Sequence, residues 1–203
     1  MSSTWFLWLV GLLALGSVLV GVLRNRRFRR KEKRHQALAA ELGLQIAYLH
    51  ERDFNLYGEH RGYPLRIEGT QLSLPGAQTA RPVVKCTLPM VNPNRKGLRI
   101  LRAHPEYPDV AAYQALDRPQ AVRHQVADWL EITTNDLMFA GLILSEEVKI
   151  SLYDAFHRLE TGLLLLQDEE LAFFTPELLL DDETTERYRR IVALLCDMKD
   201  ELQ

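Results

Sequence analysis

The sequence is poor in the residues that covalent and cofactor chemistry requires. It contains two cysteines, Cys86 and Cys196, which form no Cys-x-x-Cys pair and no zinc-ligand spacing. Two isolated cysteines in 203 residues predict no disulfide framework and are typical of a reducing compartment. The sequence also lacks the phosphate-binding loop, the dinucleotide fingerprint and the nucleophile elbow. We therefore predict no enzymatic activity and no cofactor.

The candidate metal-binding segments are incomplete. Residues 50–53, His-Glu-Arg-Asp, lack the second histidine of the HExxH helix. Residues 59–60, Glu-His, fall in a predicted turn without a third ligand. His124 and Asp128 are four residues apart on a predicted helix, which is typical of a solvated polar face. The sequence therefore predicts no metal site.

Charge is absent from the longest hydrophobic run, residues 5–23. In a helix with about 1.5 Å rise per residue, this run is roughly 28 Å long, close to the ~30 Å of bilayer hydrocarbon. A cleavable signal peptide has its positive charges before a shorter apolar run, whereas here the charges follow it. We predict an uncleaved signal anchor, a single transmembrane helix at residues 1–23. Trp5 and Trp8 are predicted to anchor its outer end, where indoles favour the headgroup interface.

Positive charge is concentrated directly after the hydrophobic run. The basic residues there are Arg24, Arg26, Arg27, Arg29, Arg30, Lys31, Lys33 and Arg34. This asymmetry predicts that the amino terminus lies outside and everything after the run lies in the cytoplasm. Each basic residue would also be attracted to anionic lipid by roughly 1 kcal/mol, so we predict that membrane lipid is a partner.

One side of the predicted transmembrane helix carries small residues. Ala14, Ser17 and Gly21 share a face, and Gly11 lies near it. Small residues allow helices to approach closely in a bilayer, so this face could pack against another membrane protein or against a second copy of the chain. The alternative is that the face contacts only lipid.

The remainder of the chain is acidic. The whole sequence has 25 basic and 27 acidic residues; residues 1–34 hold eight of the basic and one of the acidic residues, which leaves 17 and 26, a net charge of −9. Nucleic-acid binding needs a basic surface, so we predict that nucleic acid is not a partner.

Residues 24–43 are predicted to continue the transmembrane helix as a basic stalk. Leu38 and Leu42 are one helical turn apart, and Gly43 is typical of the residue that follows a helix. An unbroken helix over residues 4–42 would be roughly 58 Å long and would hold the following domain away from the membrane.

Alternating hydrophobic residues then predict an antiparallel sheet of about four strands. The strands are expected near residues 44–48, 56–67 (a hairpin turning at residues 58–62), 83–88 and 98–101, with a loop over residues 71–81.

The second half is predicted to be mostly helical. Helices are expected over residues 109–116, from Asp117 with Val122, Val126 and Trp129 on one face, from the cap Ser145 to Gly162, and from Asp182 to the end of the chain. Residues 163–174 are expected to form a hairpin with an acidic turn between the two last helices.

Two segments resemble a known group of domains. Residues 38–44 (LAAELGL) and 56–67 (LYGEHRGYPLRI), followed by the acidic-turn hairpin and the closing helix, resemble a diverse set of uncharacterised bacterial domains that are often membrane-linked. The resemblance implies a bacterial inner-membrane protein and assigns no site residue.

Together these observations predict an α+β chain: one amino-terminal transmembrane helix, then a cytoplasmic domain over residues 44–203 in which antiparallel sheet packs with helices. The domain could divide into lobes at residues 44–105 and 106–203. The predicted function is that of a single-pass accessory or scaffolding protein that binds protein within a membrane complex. The alternative is a membrane-tethered enzyme or small-ligand-binding domain whose site residues are dispersed along the chain.

Overall fold

A computed structural model describes residues 3–48, 54–72, 81–92, 95–102, 120–122, 126–159, 161–175 and 182–202, and at residues 3–7, 9–11, 14, 71, 72, 81, 82 and 182 it describes the backbone alone. The helices are α1 (Ser3–Leu42), α2 (Leu137–Ile143), α3 (Glu146–Phe156) and α4 (Asp182–Asp200). The strands are β1 (Gln45–Tyr48), β2 (Phe54–His60), β3 (Tyr63–Leu72), β4 (Arg81–Pro89), β5 (Leu98–Arg102), β6 (Gln120–Ala121), β7 (Glu131–Thr134), β8 (Gly162–Gln167) and β9 (Glu170–Thr175).

The nine strands of the described residues belong to one sheet, in the order β1-β2-β3-β4-β9-β8-β5-β7-β6. Every neighbouring pair is antiparallel. Strands from the two candidate lobes, residues 44–105 and 106–203, are interleaved in the sheet, because β9 and β8 lie between β4 and β5. The fold is therefore α+β, with a large antiparallel sheet packed with helices. The expectation of about four strands was wrong, because it missed the pairings between distant segments.

Alternation along the strands places one set of side chains in the main core. In β3, Leu65 and Ile67 are buried while Arg66 is exposed, as the period of two predicted. The main core joins these residues to the buried faces of α3, α4 and the last turns of α1. A smaller cluster on the other set of positions contains Leu101, Leu163, Leu165, Ala172 and Phe174.

Helix α1 ends where its sequence predicts. Gly43 has a φ of +71°, and the amides of Gly43 and Leu44 donate to the carbonyls of Ala40 (3.4 Å) and Ala39 (2.7 Å). This pair of bonds is the Schellman arrangement, in which a residue with positive φ turns the chain out of the helix. The α1 helix is thus one unbroken element of 40 residues.

Two later helix predictions hold in part. The Ser145 hydroxyl accepts from the Val148 amide (3.3 Å), so it caps α3 as predicted. The helix ends at Phe156 and not at Gly162, which begins β8. The predicted helix through Val122 and Trp129 was wrong in the described residues, since Val122 follows β6 and Trp129 lies in a turn. The predicted helix at residues 109–116 lies outside the described residues.

Within the part of the chain whose residues are described, no helix is apolar over a length that would cross a membrane.

Candidate functional site

The junction between α1 and the sheet is the most distinctive site in the described structure. From residue 15 to residue 27 every side chain of α1 is exposed, including Leu15 and Val18. From Phe28 onwards one side of the helix faces the domain, and Leu38 and Leu42 are fully in the core. Helix α1 is therefore a projecting element at one end and a part of the domain core at the other.

His35 lies at the centre of this junction. Its side chain is 1% exposed and stacks on Phe54 at a centroid distance of 3.9 Å and on Tyr48 at 5.9 Å. Neither ring nitrogen has a hydrogen-bond partner among the described residues. Burial, with a smaller contribution from the charge of Lys31, lowers the pKa of His35 to about 4. The imidazole is therefore neutral at pH 7 and packs as an aromatic ring.

Tyr48 packs at the end of the junction that lies nearer the projecting part of α1. Its hydroxyl donates to the Glu32 carbonyl (3.1 Å), and its ring lies 6.4 Å from that of Phe28. Burial, with a smaller contribution from Glu32, raises the pKa of Tyr48 to about 12. The hydroxyl therefore stays protonated and remains a donor to the helix backbone.

The other end of the junction is also fixed. The Nδ1 atom of His60 lies 3.0 Å from the Leu42 carbonyl oxygen, at the last turn of α1. Arg189 on α4 forms an ion pair with Glu41 (2.5 Å), although both side chains are about 42% exposed. Contacts at Phe28, His35 and Leu42 therefore hold roughly the last four turns of α1 against the sheet. The expected stalk over residues 24–43 was wrong for residues 28–42, which are part of the domain.

The basic residues after the hydrophobic run do not share one environment. Lys31 and Arg34 are half-buried on the side of α1 that faces the domain. The other six are exposed: Arg24, Arg26, Arg27, Arg29, Arg30 and Lys33.

The predicted helix-packing face lies on the projecting part of α1. The Ser17 hydroxyl donates to the Leu13 carbonyl (2.8 Å), and a Cβ at Gly21 would meet nothing within 4 Å. Ser17 and His35 face the same side of α1, because they are separated by about five helical turns. Trp8 is 75% exposed. The side chains of Trp5 and Ala14 and the surroundings of Gly11 lie outside the description.

A polar cluster joins the β2–β3 turn to α3 and α4. The Arg61 guanidinium donates to Asp197 (2.7 Å) and to Asp200 (2.8 Å). Ser151 donates to the second oxygen of Asp197 (2.8 Å), and Tyr63 donates to Asp200. The hydrogen bond to Asp197, with a smaller contribution from the charge of Asp200, raises the pKa of Arg61. Every charge in the cluster has a partner, so the arrangement is a tertiary clamp.

The polar residues His60, Arg61 and Arg66 have separate partners and do not converge on one pocket. His60 contacts α1, Arg61 belongs to the clamp, and Arg66 pairs with Glu68 (2.8 Å) along the exposed side of β3. No group of three or more metal-ligating residues occurs among the residues that are described.

An apolar groove of about 360 Å³ lies beside the β6 edge of the sheet. Its walls are Ala121, Val122, Leu137, Ala140, Gly141, Leu144 and Lys149. A Cβ at Gly141 would meet nothing within 4 Å, so the glycine leaves the groove open.

The chain matches no family model and no curated protein. Among solved structures, it is similar to the crystal structure of the mycobacterial trehalose monomycolate transport factor A, TtfA. The TM-score is 0.56 at 9% identity, over 86% of this chain and 96% of that chain. At this identity the likeness shows the fold alone.

Sequence reasoning missed the junction. His35, Leu38 and Leu42 follow the helical spacing of a buried face, and Phe28 extends it by two turns. This periodicity was present in the sequence, but the intervening basic residues led to the prediction of a basic stalk.

Proposed function

We propose that this protein is a single-pass membrane-anchored accessory or scaffolding subunit that presents its α+β domain to a protein partner in a membrane complex. The observation that carries the proposal is the difference in burial between the first and last parts of α1. The helix contributes to the domain core after Phe28, while its first part exposes a run of leucine and valine side chains, among them Leu12, Leu19 and Val20. Such an exposed apolar surface is unfavourable in water and favourable in a bilayer.

We place the anchor in the bacterial inner membrane, with the amino terminus outside and the domain in the cytoplasm. The cluster of basic residues after Leu23 supports this orientation through the positive-inside bias. The buried, unpaired thiols of Cys86 and Cys196 agree with a reducing compartment. The solved neighbour is named a transport factor, and a membrane-associated accessory role agrees with that name. A reporter fused after Gln203 tests the orientation, since periplasmic activity would refute it.

The test of partner binding targets the face that carries Ser17 and Gly21. Replacing both residues by leucine raises hydrophobicity, so insertion should be retained, while the added bulk should prevent close helix approach. The expected result is reduced copurification of membrane proteins with the double variant at matched expression. The control replaces Leu12 and Leu19 by isoleucine, which should leave copurification unchanged. Equal recovery with both variants would mean that the face contacts only lipid.

A second candidate function, small-ligand binding, is favoured by the groove at Gly141. Its walls are apolar except for Lys149, which pairs with the exposed Glu146 (2.5 Å) and would be able to donate to a ligand carboxylate instead. A photoreactive alkyl carboxylate, applied to the bilayer-embedded protein, should label residues 137–149. A Cβ at residue 141 would meet nothing within 4 Å, so Gly141→Leu should place its side chain in the groove and abolish this labelling, whereas Leu142→Ala outside the groove should not. Labelling that persists in Gly141→Leu would exclude the groove as the site.

A further inference from the structure

The position of the domain above the membrane follows from the geometry of α1, if residues 5–23 span the bilayer as proposed above. Leu23 ends the hydrophobic run, and Phe28 is the first residue that faces the domain. Five residues of helix correspond to roughly 7.5 Å. The headgroup region on each side of a bilayer is about 5–8 Å thick. The domain therefore begins where the headgroup layer ends.

The end of the sheet that lies nearest the membrane is fixed by contacts along α1. Phe28 and Glu32 contact Tyr48, at the end of β1, and His35 contacts Phe54, at the start of β2. The opposite end of β2, at His60, contacts Leu42. Because Leu42 is roughly 10 Å further along the helix than His35, β2 runs away from the membrane from Phe54 to His60.

The exposed basic residues of α1 lie at different distances from Leu23 along the helix axis. Arg24, Arg26, Arg27 and Arg29 lie within roughly 9 Å of Leu23 along the axis, which is close to the Debye length of about 8 Å at physiological salt. Arg30 and Lys33 lie at roughly 10 and 15 Å. Attraction to anionic headgroups of about 1 kcal/mol per charge therefore acts mainly on the first four residues.

We propose that the end of the domain that carries Tyr48 and Phe54 rests against the headgroup layer of an anionic membrane, with Arg24, Arg26, Arg27 and Arg29 in contact with the phospholipid headgroups. The unbroken helix and the packed junction hold the domain at one height and one rotational angle. The partner at this end of the domain is the lipid surface itself.

The test uses the full chain in nanodiscs of phosphatidylcholine with or without phosphatidylglycerol. Single spin labels are introduced as Asn55→Cys and Glu59→Cys, which lie on the same face of β2 and are separated by roughly 13 Å. The native Cys86 and Cys196 are buried, so the new thiols are the ones labelled. Relaxation by headgroup-attached paramagnetic lipid should be strong at residue 55 and weak at residue 59. Equal, weak relaxation at both positions would overturn the proposal.

Two kinds of variant separate the contribution of the arginine charges from that of the helix length. The triple variant Arg26→Gln, Arg27→Gln, Arg29→Gln should reduce relaxation at residue 55 in phosphatidylglycerol bilayers to the level seen in phosphatidylcholine. The control Arg30→Gln with Lys33→Gln should have little effect. Seven helix-forming residues inserted after Asn25 should raise the domain by roughly 10 Å and abolish relaxation at residue 55. Retained relaxation in this insertion variant would mean that the domain is not held by a rigid helix.

A label at Leu19→Cys distinguishes this inference from the proposed membrane anchor. If residue 19 is accessible to aqueous relaxation agents, the anchor itself is wrong. If residue 19 lies in hydrocarbon while residue 55 is far from lipid, the anchor stands and only the contact between domain and lipid is refuted.

Discussion

The imidazole of His35 lies 3.9 Å from the ring of Phe54, centroid to centroid, and the two planes differ by 30°. This contact joins the helix that carries the hydrophobic run to the second strand of the sheet. A histidine at such a position is costly, because both of its ring nitrogens are buried without a partner among the described residues. Packing of the neutral ring against Phe54 and Tyr48 compensates for this cost.

His35→Phe should stabilise the protein. The substitution keeps an aromatic ring against Phe54 and removes two unpaired polar atoms, each of which costs about 1–3 kcal/mol when buried. We expect a gain of about 1 kcal/mol or more in the free energy of unfolding, measured by urea titration of the full chain in detergent micelles. Leu38→Ala, one turn away, should instead cost about 2–5 kcal/mol. A loss of stability in His35→Phe would show that the imidazole has a polar role.

Stability should decrease with acidification through His35. Its pKa is lowered from 6.5 to about 4 in the folded state, so between these values the unfolded chain binds more protons than the folded chain. The free energy of unfolding therefore rises with pH across this window and falls as the pH is lowered from 6.5 towards 4. The size of the effect is on the order of 3 kcal/mol. Urea titrations at several pH values should show the slope in the wild type and a smaller slope in His35→Phe.

The clamp around Arg61 should be weak and sensitive to salt. Arg61 has a φ of 53°, which asparagine also tolerates, so Arg61→Asn preserves the turn while removing both ion pairs. The side chains are 30–45% exposed, so we expect a loss of about 1 kcal/mol at low salt and less at high salt. Arg66→Gln, which breaks the exposed pair with Glu68, is the control and should change stability by less than about 0.5 kcal/mol. A loss that did not depend on salt would assign the effect of Arg61→Asn to the backbone.

Two glycines should respond to alanine in opposite directions. Gly43 has a φ of +71°, so Gly43→Ala should cost about 1–2 kcal/mol. Gly141 lies inside α2 and a Cβ there would meet nothing within 4 Å, so Gly141→Ala should gain about 0.5–1 kcal/mol. Thermal or urea unfolding of the two variants side by side measures the difference. The Schellman ending of α1 would be unimportant to stability if the Gly43 variant matched the wild type.

Local features of the fold could be predicted because they depend on neighbouring residues. Alternation located β3 and β4, a serine followed by two glutamates located the start of α3, and Gly43 located the end of α1. The partners of the strands could not be predicted in this way. The pairing of β4 with β9 joins segments more than eighty residues apart, and alternation within a strand does not specify its neighbour.

The errors also have tertiary causes. Helix α3 ends early because Arg102 donates to the carbonyls of Phe156 (2.5 Å) and His157 (2.8 Å), which a continuing helix would use internally. Val122 and Val126 have the spacing of a helix face, but they are partly buried because they pack against the main core at the edge of the sheet. The junction at His35 could not be recognised as a site from composition alone, because it forms only when Tyr48 and Phe54 pack against His35 from the sheet.

The unbroken course of α1 also limits how two copies of the chain could associate. Ser17 and His35 lie on the same side of the helix, so a helix that packed against Ser17 and Gly21 would pass directly beneath the domain. Packed helices lie 8–10 Å apart. A second copy brought this close by a twofold axis would need its own residues 28–42 in the space that the first copy's sheet fills. In the proposed membrane anchor, two parallel copies in contact through this face would therefore clash, whereas a partner helix that ends below residue 28 would fit.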